Sequence, residues 1–268
     1  MKFNDFLLKR GVFTLKELDE YLVGKGSMNK NTRKNLLSYY QKNDRIVKVR
    51  RGLYLVVPPG SNSNQSSYDT YLIAAKMTEN AVLGYHTALE LHGKAYSVFF
   101  HYCYFSLSRS VPLQFRSNTF QAVAVPQALR EKGKELFGVV TRNRSGVDVR
   151  VTNFERTFVD VLDRPELSGS WEEIWRSLES IEFFDLDQVL EYVELLGNAT
   201  TSAKVGFFLE QHKDSLLVDS KYLSKLKELS PKQTQYMDES SKKDGQLLKD
   251  WNLIVPKEVL NRTWEEVL

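Results

Sequence analysis

Asn31, Asn35, Ser38 and Lys42 fall on one face when residues 31–42 are wound as a helix, with Lys34 beside them. That face offers amides, a hydroxyl and cations. An asparagine can bond an adenine edge bidentately, and a lysine can reach guanine or phosphate. Thr32 joins them at the expected start of the helix. Shortly after come Lys48, Arg50 and Arg51, next to Gly52. These cations would take phosphate or the minor groove. The residues the sequence assigns to DNA are therefore Asn31, Thr32, Lys34, Asn35, Ser38, Lys48, Arg50 and Arg51. Arg33 falls on the apolar side of the same wheel and is not read as a base contact.

These side chains need a helix and a hairpin to hold them. Asn31 and Thr32 are cap-type residues, so the helix is expected to start there. Leu36, Leu37 and Tyr40 recur at helical spacing and form its buried stripe. Residues 45–49 and 53–57 read as strands, with a turn at Arg50-Arg51-Gly52. Gly52 can adopt the positive φ that a tight hairpin turn needs. Pro58-Pro59 ends the second strand. Upstream, residues 3–9 are a short amphipathic start, broken by Gly11. Thr14 and Glu17 form a capping box that opens a helix through residue 21 or 23, with Leu15, Leu18, Tyr21 and Leu22 as its buried face. Gly24 and Gly26 make the turn to the next helix. Three helices followed by a basic hairpin give the order of a winged helix-turn-helix over residues 1–58.

Charge supports a polyanion partner for this end of the chain. Residues 1–60 hold 13 Lys and Arg against 5 Asp and Glu, a net of +8. Residues 61–268 hold 24 against 29, a net of −5. With 268 residues and 42% hydrophobic content, there is material for one large or two ordinary domains. The single cysteine, Cys103, excludes an intrachain disulfide and a cysteine-cluster metal site. It sits in an aromatic run and reads as an inert buried thiol. No apolar run reaches a membrane span, and the first residues do not lead into a signal-peptide core. The expected location is the cytoplasm.

Residues 60–67 (GSNSNQSS) are polar and of low complexity, and a linker is expected over 59–66. Beyond it, helices are expected from Ser67 to about Met77 and over 88–92, closed by Gly93. Strands are expected over 96–107, 115–125, 136–141 and 147–151, with a turn at 143–146. Thr152 and Glu155 read as a second capping box, opening a helix over 154–162. Further helices follow at about 170–181, 185–196 and 200–212. Residues 155–194 carry 12 acidic side chains against 3 arginines, which could meet a basic partner or simply be solvated. The tail after Lys213 is polar, with residues 251–255 as a late apolar clasp.

Other chemistry reads more weakly. His86 and Glu90 are four apart, but His92 lies off their face and no fourth ligand is evident, so no metal site is assigned. Asp160, Asp163 and Glu166 could be imagined as a Mg²⁺-binding nuclease set. They fall on a helix end and the loop after it, with Arg156 and Arg164 as expected partners. Asp163-Arg164-Pro165 is better explained as a helix stop. No phosphate-binding glycine loop, serine elbow or kinase signature is present, and no catalytic residue or cofactor is assigned.

Three stretches carry a family likeness: RRGLYLVVPPG at 50–60, GYHTALELHG at 84–93, and VDVRVTNFERTFVDVLDRPELSGSWEEIW at 147–175. In this order they resemble the AbiEi family, antitoxins of type IV abortive-infection toxin–antitoxin systems and related regulators of phage defence. The likeness spans roughly residues 10 to 200. It implies an N-terminal winged helix that binds inverted repeats in its own promoter and represses it. It also implies a C-terminal domain that counteracts a co-encoded nucleotidyltransferase toxin, without a stable complex. The wing motif carries over onto Arg50, Arg51, Gly52 and Tyr54. One departure is Asp44, where the family commonly has glycine before the first wing strand.

The expected architecture is α+β. A winged helix-turn-helix over 1–58 precedes a mixed α/β domain over 67–268, mostly helical in its C-terminal half. The expected function is that of a DNA-binding autorepressor and antitoxin. The alternative is a ligand-responsive winged-helix transcription factor whose C-terminal domain senses a small molecule. A nuclease is a third possibility.

Overall fold

The first helix, Phe3–Leu8 (α1), exists because Phe6 and Leu7 have an apolar cluster to enter. A computed structural model describes residues 3–26, 29–62 and 66–265. After α1 come Val12–Thr14 (β1), Leu15–Val23 (α2), Lys30–Lys42 (α3), Ile46–Arg50 (β2) and Leu53–Val56 (β3). The capping box is present in both directions: Thr14 accepts from the Glu17 amide, and the Glu17 carboxylate accepts from the Thr14 amide at 2.8 Å. Residues 12–14 were expected only as the lead into α2. They form a strand that pairs with β3, Val12 facing Leu55 and Phe13 facing Tyr54, so the sheet order is β1-β3-β2. Leu18, Leu22, Leu37, Ile46 and Tyr54 close the cluster begun by α1.

Helix α3 starts earlier than the cap residues suggested. Asn29 is the N-cap, its side chain accepting from the Asn31 amide at 2.8 Å, so Asn31 and Thr32 lie inside the first turn. The helix ends at Asn43, and Asp44 takes φ +49 before β2. That left-handed value is one that glycine adopts most readily and that aspartate tolerates. β2 and β3 pair antiparallel with an irregularity between Lys48 and Arg50, and Gly52 turns the hairpin at φ +87.

Next come Thr70–Ala75 (α4), Val82–Leu83 (β4), His86–Leu91 (α5), His101–Ser106 (β5), Leu113–Phe115 (β6), Asn118–Ala124 (β7), Gln127–Glu131 (α6), Val139–Arg144 (β8) and Val147–Thr152 (β9). The strands form a six-stranded sheet of order β6-β7-β5-β4-β9-β8. Asp69, not Ser67, caps α4, accepting from the Tyr71 amide at 3.0 Å. The strand expected over 96–107 is shorter, for a chemical reason. The Ser97 and Phe99 amides donate to the Glu173 and Glu90 carboxylates, at 3.1 and 2.6 Å, instead of to a neighbouring strand. The strand expected over 115–125 is a hairpin, turned at Arg116 with φ +54.

The remaining helices are Phe154–Asp163 (α7), Trp171–Glu179 (α8), Leu186–Leu196 (α9), Ala199–Gln211 (α10) and Ser220–Leu229 (α11). Asn153, not Thr152, caps α7. Ser170, Asp185 and Asn198 cap the next three. The tail adds Gln235–Tyr236 (β10), Ser241–Asp244 (α12), Gly245–Leu248 (β11), Leu253–Pro256 (β12) and Lys257–Asn261 (α13), with strand order β10-β12-β11. The expected clasp is real: Trp251, Leu253 and Val255 are buried, and the Trp251 indole lies against Gly206 of α10. Trp251 also donates to Glu210 at 2.6 Å.

The chain divides into two compact units. The first is Met1–Leu83, Phe100–Val123 and Thr141–Arg150; the second is Gly84–Phe99, Ala124–Val140 and Val151–Leu268. The polar stretch 59–66, expected to separate domains, therefore lies within the first unit; its residues 63–65 are outside those described. Local composition does not announce the strands that a distant segment supplies to the same unit. The division also sharpens the charge asymmetry. The first unit holds 19 Lys and Arg against 8 Asp and Glu, a net of +11, and the second 18 against 26, a net of −8. No helix among the described residues is long and apolar enough to cross a membrane.

Candidate nucleic-acid interface

Helix α3 buries Leu37 and half-buries Leu36 and Tyr40 against the N-terminal cluster. Its opposite face is left to solvent, and Asn31, Lys34, Asn35, Ser38 and Lys42 are all exposed on it. Thr32 is half-buried and stands off that face. Arg33 donates to Asp19 of α2 at 2.6 Å, which ties the two helices together. The wheel had placed it on the inner side. Tyr40 donates to Asn4 at 3.2 Å and packs edge-on against Phe3.

Tyr39 was not singled out in the sequence, yet its side chain is 62% exposed. Its ring stands edge-on to Tyr40 with centroids 5.2 Å apart, so it is an exposed aromatic with a fixed support. Position 39 follows Asn35 by four residues, which puts it at the border of the polar face.

On the hairpin, the three basic residues have different surroundings. Lys48 and Arg51 are exposed, and no salt bridge or side-chain hydrogen bond engages either side chain among the described residues. Arg50 is half-buried. Its guanidinium donates to the main-chain carbonyl of Met77 and, at 3.3 Å, to the Ser110 hydroxyl. Gly52 is half-buried as well, its carbonyl accepting from the Leu15 amide at 2.9 Å. The turn is thus anchored on one side and open at Arg51. Around it, Lys76 pairs with Glu17 at 2.5 Å, and Lys16 pairs with Glu79. Burial alone would raise the Glu17 carboxyl, but Lys76 and the Thr14 amide outweigh it and hold the group below its ordinary value.

The second unit buries several polar side chains, among them His86, Arg156, Asp160 and Glu173. His86 stacks on Phe99 with centroids 3.7 Å apart; its Nε2 lies 2.9 Å from Glu173, and its Nδ1 lies 3.5 Å from Glu90. Burial would raise the Glu173 carboxyl, but hydrogen bonds from His86 and Ser97 bring it down to about 2. His92 points elsewhere, to the Thr152 carbonyl at 2.7 Å. Among the described residues, no group of three or more His, Cys, Asp or Glu side chains is placed to hold a metal ion.

Of the carboxylates weighed as a nuclease set, Asp163 and Glu166 line one cleft, and Asp160 is buried and not part of that lining. Asp160 is buried between Arg156 at 3.3 Å and the Tyr192 hydroxyl at 2.6 Å, and burial pushes it up to about 6. Asp163 accepts from Asn198 and Thr201, and Glu166 pairs with Arg164 at 3.0 Å. A cleft of about 650 Å³ is lined by Trp171, Lys204, Tyr236, Met237 and Asp238, with Asp163, Glu166 and Glu258 among the other lining residues.

No family model matches the chain, and no curated protein does. Among solved structures, the chain is similar to the RV2827C protein from Mycobacterium tuberculosis. The TM-score is 0.61 at 13% identity, over 96% of this chain and 90% of that one. At that identity the likeness concerns the fold.

Proposed function

We propose that the protein is a DNA-binding autorepressor and antitoxin, with a winged helix-turn-helix at its N-terminus. In this reading α1, α2 and α3 with the β1-β3-β2 sheet are the winged helix. Helix α3 enters the major groove, and the β2–β3 hairpin is the wing. The observation that carries the proposal is the outer face of α3, where amides, a hydroxyl and lysines stand exposed opposite a buried leucine stripe. The net of +11 on the first unit supplies the long-range attraction.

The roles then divide by environment. Asn31, Lys34, Asn35 and Ser38 face base edges, with Tyr39 at their border. Lys48 and Arg51 take phosphate. Arg50 holds the wing's base to Met77 and leaves DNA contact to its neighbour. The antitoxin half of the proposal rests on the AbiEi resemblance of residues 84–93 and 147–175, and its target is a nucleotidyltransferase toxin.

Full-length protein with Lys34→Ala, Asn35→Ala and Arg51→Ala tests both halves. The triple variant should lose repression of a reporter driven by the gene's own promoter. It should still rescue growth when co-expressed with the neighbouring toxin gene. Unchanged repression would overturn the DNA assignment, and no rescue by the wild type would overturn the antitoxin assignment.

A ligand-responsive regulator is the second reading, and the cleft beside Trp171 and Lys204 favours it. Burial lowers the Lys204 amine below its ordinary value, partly offset by Asp163 and Asp238. This reading expects a small molecule that raises the melting temperature and also changes promoter affinity, and Lys204→Met should abolish both effects.

A further inference from the structure

We propose that the loop between β5 and β6 is a second DNA-gripping element beside the wing, with Arg109 as its contact residue. The inference rests on the DNA-binding reading and adds a segment far from residues 1–58.

This loop is held by hydrogen bonds from its serines. Ser106 is buried, Ser110 is half-buried, and Ser108, though exposed, is hydrogen-bonded back onto Ser106. The Ser106 hydroxyl donates to Asn80 at 3.1 Å, lies 3.2 Å from the Ser108 hydroxyl, and accepts from the Ser108 amide at 3.2 Å. Ser110 accepts from Arg50 of the wing at 3.3 Å. Leu107, Arg109 and Val111 turn outward; Leu107 is 56% exposed and Val111 83%. These hydrogen bonds hold the loop, and the last serine fastens it to the base of the wing.

The outward set suits a duplex. Arg109 is exposed, and no carboxylate pairs with it among the described residues. Residues 100–123 contain Arg109 and Arg116 and no acidic residue. Arg116 is occupied, donating to the Ser66 carbonyl at 2.8 Å and lying over the Tyr68 ring. Arg109 is thus the free cation of this segment. Apolar neighbours on both sides fit the sugar edges that border a minor groove, and an arginine fits its floor or the flanking phosphates. The arrangement also gives Arg50 a purpose. It is a positioning residue that sets Arg109 beside Arg51.

The test is fluorescence anisotropy of the full-length protein on a duplex from its own promoter, across a salt series. Arg109→Ala should weaken binding several-fold on specific and scrambled duplexes alike and reduce the salt slope by about 1. Arg109→Glu should weaken it further, and both variants should melt like the wild type because the side chain is exposed. If wild type binds and Arg51→Ala weakens it while both Arg109 variants match wild type, the second element is wrong and the DNA-binding reading stands. If the wild type shows no salt-dependent binding, both fall together.

Discussion

Arg50 donates a hydrogen bond to the main-chain carbonyl of Met77, while Arg51, the next residue, projects into solvent. Adjacent arginines in one turn therefore do different work. Arg50→Ala would strip the main-chain carbonyl of buried Met77 of its partner and should cost about 1–2 kcal/mol. Arg51→Ala should stay within about 0.5 kcal/mol of wild type. Urea titrations of the two variants check this, and equal stabilities would remove the positioning role given to Arg50.

Base discrimination should depend on Asn35. Asn35→Ala removes a bidentate partner from the exposed face of α3 and should forfeit about 1–3 kcal/mol of preference for the promoter over scrambled duplex. Competition binding gives that ratio directly. A uniform loss on every sequence would mean that Asn35 touches backbone and that the face has been assigned wrongly.

The tail should prove inseparable from the second unit. A Cβ built at Gly206 overlaps the Trp251 ring, so Gly206→Ala must displace the indole or the helix. A cost of about 2 kcal/mol or more is expected, since overpacking forces buried side chains and backbone to shift. Tryptophan emission should shift to the red with it. A variant of wild-type stability would show that Trp251 can move freely.

Two buried carboxyls should bend the stability curve in opposite directions with pH. Asp160 is raised to about 6 from an ordinary 3.8, so its protonated form is favoured in the folded state. Its contribution is complete below about pH 4 and is lost as pH rises through 6, by up to ~3 kcal/mol. Glu173 is lowered to about 2 from 4.5, so its contribution is complete above 4.5 and is lost as pH falls toward 2. Urea midpoints from pH 2.5 to 8 should flatten between 4 and 6.5 in Asp160→Asn. They should flatten below 4.5 in Glu173→Gln. Unaltered curves would show that neither group titrates as its surroundings indicate.

Local signals were legible in the sequence where the chain solves its problems locally. The Thr14–Glu17 box, the Leu36–Leu37–Tyr40 stripe and the Gly52 turn each involve neighbours in the chain, and each appears in the fold. The α3 cap slipped to Asn29 because Asn29, Asn31 and Thr32 are all competent caps and packing chooses among them. β1 was missed because three residues carry too little pattern and its partner, β3, is some forty residues away. Residues 96–99 looked like strand from their aromatic content, but their amides find the Glu90 and Glu173 carboxylates. The engagement of Arg50 by Met77 and Ser110 depends on the sheet of the first unit, which no local pattern announces. For the same reason composition did not mark the Arg109–Ser110 segment as a neighbour of the β2–β3 hairpin.

The central claim is that the first unit grips duplex DNA through the outer face of α3 and the cations beside it. Binding to promoter duplex measured from low to moderate salt tests it most directly. With some five to eight phosphates neutralised, log K should fall with log salt at a slope of about −5 to −7. A slope near zero, or no binding at low salt, would contradict the account.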